Sequence, residues 1–421
     1  MFFLLLALML FGIPITFSLG IVSAVVLLMG DYSLLIIPHR LTSGVDVFVL
    51  LAVPYFILAA KLMNLGELTD RIFNFAKRLV GHLPGGLGHV NVLASMIFAG
   101  MSGAALADVE GLGTVEIKAM TDAGYSKPFS VAITAASSTI GPIIPPSIPL
   151  IIYGVIGEVS IAKLFLAGVI PGVLLGGLLM AIIWYLAGRQ SLPVFTKGTF
   201  RQLVASFIEA LPALMIPFML VVSMLTGLAT PTEIGTLAVV YAIILGYWFS
   251  RGAKIKGHLV WNVVSETAEA TGSIMIIISS AALLSTVLTL EQIPQKTASY
   301  IISVIDSPPV FLMALNVFLL IVGCLLDATS AIVILVPALL PTAVKLGIDP
   351  VHFGMVVVLN LMIGLITPPF GLVLYAISDM TGMSIFAVVR ALLPYYFPLL
   401  GCLILVTFVP YISLFLPGFI L

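Results

Sequence analysis

The stretch TIGPIIPPSIP, from Thr139 to Pro149, carries four prolines within one of the most apolar regions of the chain. A proline inside a helix removes a backbone donor and clashes with the carbonyl four residues earlier, so the stretch is expected to interrupt a helix. Freed carbonyl groups cost several kcal/mol each in lipid, and such a break is tolerated only where it lines a cavity or is buried in protein. We therefore expect something polar to meet this segment.

The composition of the 421-residue chain is that of a membrane protein, with 61% hydrophobic residues, only 8% charged residues and a mean hydropathy of +1.26. Soluble domains are roughly 45–50% apolar and about 25% charged. Apolar runs of about twenty residues recur along the sequence, and each is long enough to cross a bilayer as a helix. The sequence therefore predicts an all-α polytopic membrane protein with no soluble domain. Residues 1–30 lack a basic segment and a cleavage site, so we expect a retained first helix rather than a signal peptide.

The proline-rich stretch has a second copy, IGLITPPFGLVLY, 223 positions later in the chain. The matched pairs are Gly141 with Gly364, Pro145 with Pro368, Pro146 with Pro369 and Pro171 with Pro394. Each copy follows a polar break in an apolar run, FAGMSGAALADVEG in the first half and GCLLDATSAIVILVP in the second. Further upstream, each half has a segment of mixed apolar and charged residues, as expected of an interfacial helix. The two halves therefore share one plan.

Clusters of Lys and Arg set the expected orientation, because basic loops stay on the cytoplasmic side of a membrane. The clusters are Arg71, Lys77 and Arg78, then Arg189, Lys197 and Arg201, then Arg251, Lys254 and Lys256. Three apolar regions, about 88–122, 129–154 and 161–187, separate the first two clusters, and an odd number of crossings would contradict the charges. The region 88–122 has a polar centre rich in Gly and Ser, so we predict a re-entrant helical hairpin there, with its tip near 101–104.

Counting membrane crossings further along the chain places the second hairpin, about 309–345, and the second broken helix, about 353–378, in the membrane with the orientation opposite to that of the first pair. Residues 1–190 and 230–421 are thus predicted to form two inverted repeats, joined by a connecting segment and an extra transmembrane helix over 191–229. Secondary transporters commonly use this plan, with the binding site near the midplane where the copies meet.

A small hard cation such as Na⁺ suits the two breaks, because backbone carbonyls and hydroxyls supply oxygen ligands and helix ends add partial charge. The candidate ligands of the first half are Ser102, Gly103, Ser137, Ser138 and Thr139. Those of the second half are Gly323, Asp327, Thr329, Asn360, Gly364 and Thr367. Two equivalent pockets predict about two ions. The alternative is that Pro and Gly only bend these helices for packing, but their duplication beside a polar hairpin favours ion binding.

Two carboxylates lie within the apolar regions, where a charge costs at least about 2.5–3.5 kcal/mol unless it is paired or near water. Asp327 lies at the second tip, and we expect an ion-linked role for it. For Asp108 two alternatives stay open: the side chain reaches the cytoplasmic end of its hairpin, or it forms a structural hydrogen bond with a tip amide.

The sequence contains none of the common nucleotide-binding or catalytic motifs that we considered. It lacks a GxxxxGK[ST] phosphate loop, an HExxH or CxxC motif and a Gly-x-Ser-x-Gly elbow. Its five histidines are scattered without the spacing of metal ligands. We therefore expect no enzyme, no catalytic residue, no organic cofactor and no nucleic-acid partner, and transport must draw on ion gradients and the membrane potential.

Three segments together resemble one family: AGMSGAALADVEGLGTVEIKAM, YSKPFSVAITAASSTIGPIIPPSIPLIIYG and LNLMIGLITPPFGLVLY. They are similar to the large membrane subunit of the tripartite ATP-independent periplasmic (TRAP) transporters, and the resemblance covers nearly the whole chain. It implies a bacterial inner-membrane, Na⁺-dependent importer of an organic acid that works by an elevator motion. The hairpins and broken helices would move as one body against a scaffold made of the first helix, the 209–250 pair and the interfacial arms.

The resemblance also implies ligands, partners and substrates. The family's ion sites fall on Ser102, Gly103, Ser137, Ser138 and Gly141 in the first half and on Gly323, Gly364 and Thr367 in the second. Many members read GxSGS at the first tip, and here Ala104 replaces the second Ser. The implied partners are a small four-helix membrane subunit, expected as a separate polypeptide, and a periplasmic substrate-binding protein. C4-dicarboxylates, sialic acid and other sugar acids are the candidate substrates.

Two other functions are compatible with parts of this pattern. A stand-alone divalent-anion:Na⁺ symporter shares the inverted-repeat architecture but needs no binding protein. A channel or membrane receptor would use the broken helices as a static pore. Transport measurements separate these functions, because only the TRAP transporter depends on its periplasmic protein.

Overall fold

The structure, a computed structural model, describes residues 2–65, 68–190, 192–249, 257–305 and 307–420, and every regular element in these ranges is helical. The helices of the first part are α1 (Phe2–Leu10), α2 (Ile15–Met29), α3 (Ile36–Ser43), α4 (Ala52–Leu65), α5 (Leu68–Val80), α6 (Gly86–Ser102), α7 (Ala105–Asp108), α8 (Thr114–Asp122), α9 (Lys127–Ser138), α10 (Ile148–Ile156) and α11 (Ile161–Gln190). Those of the second part are α12 (Phe200–Thr226), α13 (Pro231–Phe249), α14 (Gly257–Leu290), α15 (Ile293–Val304), α16 (Pro308–Leu325), α17 (Ala328–Lys345), α18 (Pro350–Gly364), α19 (Leu372–Thr381), α20 (Ile385–Phe408) and α21 (Tyr411–Ile420). The third basic cluster, Arg251, Lys254 and Lys256, lies outside the described residues.

Six of the described helices are long and apolar enough to cross a membrane. They are α11, α12, α14, α16, α17 and α20. A pair of helices bent by 52°, Ile36–Ser43 and Phe48–Met63, makes a seventh span if its two parts cross together. The chain is therefore a multi-pass membrane protein, as the composition predicts.

The N-terminal region forms two helices, so the expectation of one continuous first helix over residues 1–30 is wrong. α1 ends at Leu10 and α2 begins at Ile15. Between them, Gly12 has a φ of +79°, and Pro14 adopts an extended conformation directly before α2. A glycine in the left-handed region and a proline without an amide hydrogen both end an α-helix.

Each half contains a helical hairpin. The first runs from α6 to α8 and turns at Gly103 and Ala104, and a π-helical turn, Val109–Gly113, joins α7 to α8. Gly103 has a φ of +63°, a conformation that costs glycine no steric strain. The second hairpin consists of α16 and α17, which turn at Leu326 and Asp327.

Both proline-rich stretches interrupt a helix. α9 ends at Ser138 and its continuation α10 begins only at Ile148. α18 ends at Gly364 and its continuation α19 begins at Leu372. Each break contains one cis Pro–Pro bond. The backbone groups of both breaks are thus released from regular helical hydrogen bonding, as the prolines predict.

The hairpins and broken helices pack together in the core. α9 lies against α6 and α8 of its own half and against α20, while α18 lies against α16 and α17 of its own half and against α11. The second part of each broken helix contacts the other half, α10 on α17 and α19 on α7. Tyr153 OH of α10 also donates a hydrogen bond to the carbonyl of Pro350, at the start of α18, at 2.6 Å. The two breaks are therefore held within one core.

The remaining helices form a second group of packed pairs. α4 lies against α13, α2 against α14 and α5 against α12. Lys61 Nζ of α4 and Glu266 Oε2 of α14 form an ion pair at 2.6 Å. α5 buries Ile72 and Phe73 on one face, as expected of an amphipathic helix at the membrane surface.

Candidate cation sites at the two helix breaks

A buried carboxylate joins the first hairpin tip to the first break. Asp108 is 2% exposed, and its Oδ1 accepts a short hydrogen bond from Ser102 Oγ. Its Oδ2 has no hydrogen-bond partner among the described residues, and a Cβ placed on Gly141 would overlap this oxygen. Of the two alternatives for Asp108, the hydrogen bond at the hairpin tip agrees with this burial and this contact. The side chain accepts a hydrogen bond at the tip, from a hydroxyl rather than an amide.

The first tip also contacts the break through its backbone. The carbonyl of Gly103 accepts a hydrogen bond from the Ile148 amide at 3.2 Å. A Cβ on Gly103 would lie only 2.6 Å from the carbonyl oxygen of Pro146, closer than real side chains approach. The structure thus brings Gly103 onto the break, beside the contact of Asp108 with Gly141.

Two hydroxyls at the end of α9 have their hydrogens occupied. Ser138 Oγ donates to the carbonyl of Ala135 at 2.9 Å, and Thr139 Oγ1 donates to the carbonyl of Ala136 at 2.7 Å. A hydroxyl has one hydrogen and two lone pairs, so both side chains retain acceptor capacity at the start of the break. Free lone pairs are what a cation requires of a hydroxyl ligand.

Ser137 faces the hairpin, where it belongs to a buried polar cluster. Its Oγ donates to Asn91 Oδ1 at 2.7 Å and accepts from Ser95 Oγ at 3.1 Å. Asn91 Nδ2 donates to Thr134 Oγ1 at 2.8 Å and to Glu116 Oε2 at 2.7 Å. Glu116 is 1% exposed, and its Oε1 has no partner among the described residues. Asn91 and Glu116 are not among the residues predicted from sequence, although polar residues within an apolar hairpin are a usable signal.

The second tip and break meet backbone to backbone. A Cβ on Gly364 would lie 2.6 Å from both the carbonyl carbon and the Cα of Gly323. In the reverse direction, a Cβ on Gly323 would lie 3.1 Å from the Cα of Gly364. The predicted pair Gly323 and Gly364 is thus in direct contact, and no larger residue fits at position 364 without separating the two elements.

The second break is more open than the first. The first break is buried over nearly its whole length, whereas Phe370 in the second is 58% exposed. Thr367 Oγ1 donates to the carbonyl of Ile363 at 2.7 Å and keeps its lone pairs. Tyr396 OH donates to the carbonyl of Ile366 at 2.6 Å, which leaves that carbonyl one further lone pair.

Asn360 lies one helical turn before Gly364 and is fully buried. Its Nδ2 donates to both the backbone oxygen and Oδ1 of Asn316 at 3.0 Å. Its own Oδ1 has no partner within the described ranges. A buried acceptor left without a hydrogen bond costs about 1–3 kcal/mol. A cation at the break would relieve this cost.

Asp327 has a local structural role. Its Oδ2 accepts a hydrogen bond from the Ser330 amide at 3.1 Å, and its Oδ1 accepts a short hydrogen bond from Ser330 Oγ. The side chain thereby caps the N-terminus of α17, which accounts for a carboxylate at the second tip without an ion. The ion-linked role of Asp327 stays a prediction.

The oxygens near both breaks are of the kind that an alkali cation binds. Hydroxyls lie at each break, and among the described residues Asp108 Oδ2 near the first break and Asn360 Oδ1 near the second are buried without a hydrogen-bond partner. In the part of the chain that the structure describes, no three His, Cys, Asp or Glu side chains converge. Such clusters are typical of transition-metal centres, whereas the oxygen-only sets match a hard cation.

Comparison with known proteins decides the family. The family model for the tripartite ATP-independent periplasmic transporter, DctM component, matches residues 2–412. The chain belongs to this family. A large permease protein of a sialic acid TRAP transporter, from Vibrio cholerae, is 40% identical over 407 residues, which cover 96% of this chain and 95% of that protein. The large permease protein DctM of a C4-dicarboxylate TRAP transporter, from Pseudomonas aeruginosa, is 39% identical over 404 residues, covering 96% and 94%.

Among solved structures, the YdaH transporter of Alcanivorax borkumensis has a similar fold, with a TM-score of 0.64. The match covers 88% of this chain and 86% of YdaH at 16% sequence identity. The resemblance to the large TRAP membrane subunit that the sequence motifs indicate is therefore confirmed, and the relatives are transport permeases rather than enzymes.

Proposed function

We propose that this TRAP permease imports an organic acid across the bacterial inner membrane, coupled to Na⁺ entry. A periplasmic binding protein delivers the substrate, and a small four-helix membrane subunit completes the assembly. The two relatives described above are named for sialic acid and for C4-dicarboxylates, and both substrates are carboxylic acids. The substrate of this chain belongs to the same class.

One observation carries the proposal: in each half a hairpin tip meets a helix break at glycine backbone, and a residue of the same tip or helix has a buried oxygen without a hydrogen-bond partner among the described residues. The pairs are Gly103 with Pro146 and Gly323 with Gly364. Unpaired oxygens within a membrane are costly, so selection for packing alone gives no reason to retain them in both halves. A cation between tip and break supplies the missing partner.

The inverted-repeat plan is supported by matching packing partners. α6 lies on α9 as α16 lies on α18, and α10 contacts α17 as α19 contacts α7. In an elevator mechanism, these hairpins and broken helices form the moving body, while the group that includes α4, α13 and α14 forms the scaffold. A cation bound between each tip and its break would strengthen the contact that the two already make.

The membrane potential supplies energy for accumulation. Each net positive charge that moves inward gains about 2.3 kcal/mol per 100 mV, which alone supports roughly fifty-fold accumulation of the substrate. When ionised, Asp108 supplies a counter-charge for one cation inside the hairpin. Na⁺ entry and substrate entry are coupled if the moving body cannot cross with this carboxylate charged and unpaired.

Removing one hydroxyl ligand from each site tests the ion assignment. Ser138→Ala and Thr367→Ala are each expected to raise the Na⁺ concentration for half-maximal uptake about fivefold, because a single oxygen ligand contributes about 1 kcal/mol. Uptake at saturating Na⁺ should stay near that of the wild type. Thr286→Ala is the control, since within the described residues Thr286 Oγ1 donates to its own helix, at the Ala282 carbonyl. Unchanged Na⁺ dependence in both site variants would discredit the two sites.

Reconstitution with the small subunit in liposomes separates the proposal from its rivals. The TRAP mechanism predicts Na⁺-driven uptake only when the periplasmic binding protein is present. Robust uptake without that protein would instead support a stand-alone divalent-anion:Na⁺ symporter. A current that continues without saturable dependence on the substrate would support a channel. A thermal-shift screen of the matching binding protein against organic acids then identifies the substrate.

A further inference from the structure

A directional chain of hydrogen bonds leads to the free oxygen of Asn360. It starts at Thr407 on α20, whose Oγ1 donates to the Leu403 carbonyl at 2.7 Å. This bond uses the only hydrogen of the hydroxyl, so Thr407 can only accept from other groups. Asn316 Nδ2 on α16 donates to it at 2.9 Å. Thr407 therefore fixes which end of the Asn316 amide carries the nitrogen.

The orientation of Asn316 in turn fixes that of Asn360. With its nitrogen toward Thr407, Asn316 presents Oδ1 to α18, where it accepts from Asn360 Nδ2 at 3.0 Å. The backbone carbonyl of Asn316 accepts from the same nitrogen at 3.0 Å. Both amide hydrogens of Asn360 are thereby used, and its Oδ1 is left as a free, fully buried acceptor. This oxygen lies one turn before Gly364, on the same side of the helix.

The first half has a corresponding arrangement. Ser137 occupies the position 223 residues before Asn360, the same offset that relates the two proline-rich stretches. Ser137 Oγ donates to Asn91 Oδ1 at 2.7 Å, as Asn360 Nδ2 donates to Asn316 Oδ1. Asn91 Nδ2 is held by Thr134 Oγ1, as Asn316 Nδ2 is held by Thr407 Oγ1. In each half, an asparagine on the first hairpin arm therefore donates to a threonine and contacts a residue of the broken helix. In the first half the Glu116 carboxylate also accepts from Asn91 Nδ2.

Hydrogen bonding between helices for packing alone does not account for this arrangement. Packing requires only that each donor meets an acceptor. If packing were the only requirement, the Asn360 amide could also be reversed, with its oxygen accepting from a donor and its nitrogen left free. The series of hydrogen bonds that starts at Thr407 excludes this reversal. With its nitrogen bonded to Thr407, Asn316 presents only acceptor oxygens to Asn360. Three buried side chains on three helices thus select an oxygen over a nitrogen beside the second break.

We propose that Asn316 and Thr407 are positioning residues for the second cation site, which hold the Asn360 carboxamide with its oxygen available to the ion. In the first site, Asn91 holds Ser137 by accepting the hydrogen bond from Ser137 Oγ. This inference rests on the proposed Na⁺ coupling and names residues that orient the ligands without contacting the ion themselves. A freed Asn316 amide can reverse, and Asn360 then presents its NH₂ group to the cation.

Thr407→Val tests the inference, because valine keeps the shape of threonine and removes the hydroxyl that accepts from Asn316, together with its hydrogen bond to the Leu403 carbonyl. We expect the Na⁺ concentration for half-maximal thermal stabilisation of the purified chain, in complex with its small subunit, to rise about tenfold. Thr407→Ser restores the hydroxyl and should return this concentration to the wild-type value. Thr267→Val is the matched control, since buried Thr267 also donates to a carbonyl of its own helix, that of Val263, at 2.7 Å.

The outcomes separate the inference from the proposed function. If Thr407→Val lowers the melting temperature equally with and without Na⁺, so that the half-maximal concentration is unchanged, Thr407 is only structural and the inference is overturned. If the wild-type complex shows no stabilisation by Na⁺ at all, the proposed Na⁺ coupling fails first. Where Thr407→Val does not yield folded protein, Thr407→Ala takes its place with the same expected rise, and an unchanged value again overturns the inference.

Discussion

Gly364→Ala is expected to reduce Na⁺-driven substrate uptake by roughly a hundredfold. A Cβ at this position would lie 2.6 Å from the backbone of Gly323, and backbone atoms cannot move aside as the end of a flexible side chain can. The second hairpin tip must therefore separate from the break. Overpacking of this kind costs about 1–3 kcal/mol, and 3 kcal/mol corresponds to roughly a hundredfold. Uptake by liposomes that contain the assembled transporter measures the loss.

Gly401→Ala is the matched control for this substitution. Gly401 is also a helical glycine in the second half, on α20, but a Cβ there would meet no heavy atom within 4 Å. Uptake by this variant should stay within about twofold of the wild type, because surface or open helical sites tolerate alanine. Equal loss in both variants would mean that the contact between Gly323 and Gly364 has no special role.

Gly103→Ala is expected to have a similar effect at the first site, for two reasons. Its φ of +63° lies in the left-handed region, which strains any residue with a Cβ. The new Cβ would also lie 2.6 Å from the carbonyl oxygen of Pro146, within the break. We expect uptake to fall roughly a hundredfold and the Na⁺ requirement to rise, as measured by uptake over a range of Na⁺ concentrations.

Gly382→Ala separates the two reasons. Gly382 has a nearly identical φ of +66°, yet a Cβ there would meet nothing within 4 Å. This variant carries only the conformational strain, about 1–2 kcal/mol, and should lower stability without changing the Na⁺ requirement. A Na⁺ requirement that changes equally in Gly103→Ala and Gly382→Ala would remove the evidence for a site between tip and break.

The positions of both breaks and both hairpin tips could be predicted from sequence, because prolines act locally and the duplication repeats them at one spacing. Gly103 lies within the predicted tip at 101–104, and Gly323 and Gly364 were grouped as candidate ligands of one site, but their backbone contact was not predicted. The break after α1 was missed although Gly12 and Pro14 carried the same signal. An unbroken run of apolar residues outweighed them.

The residues that form hydrogen bonds with the candidate ligands could not be identified from the sequence. Thr407 reaches Asn316 from 91 positions away, and Asn91 reaches Glu116 across the hairpin, so only the packing of α16, α18 and α20 or of α6, α8 and α9 brings these groups together. Asp327 illustrates the opposite case. Its sequence context resembled an ion ligand, whereas its observed partner is the start of its own helix, three residues away.

Direct measurement of Na⁺ binding tests the central claim, which is that the two mirror-related breaks hold cations with backbone and side-chain oxygens. Equilibrium binding of radioactive sodium to the purified chain, in complex with its small subunit, gives the number of ions without requiring transport. We predict about two ions per chain in the wild type and about one in Gly103→Ala or Gly364→Ala. Absence of saturable binding in the wild type, or an unchanged number of ions in both variants, would contradict the account.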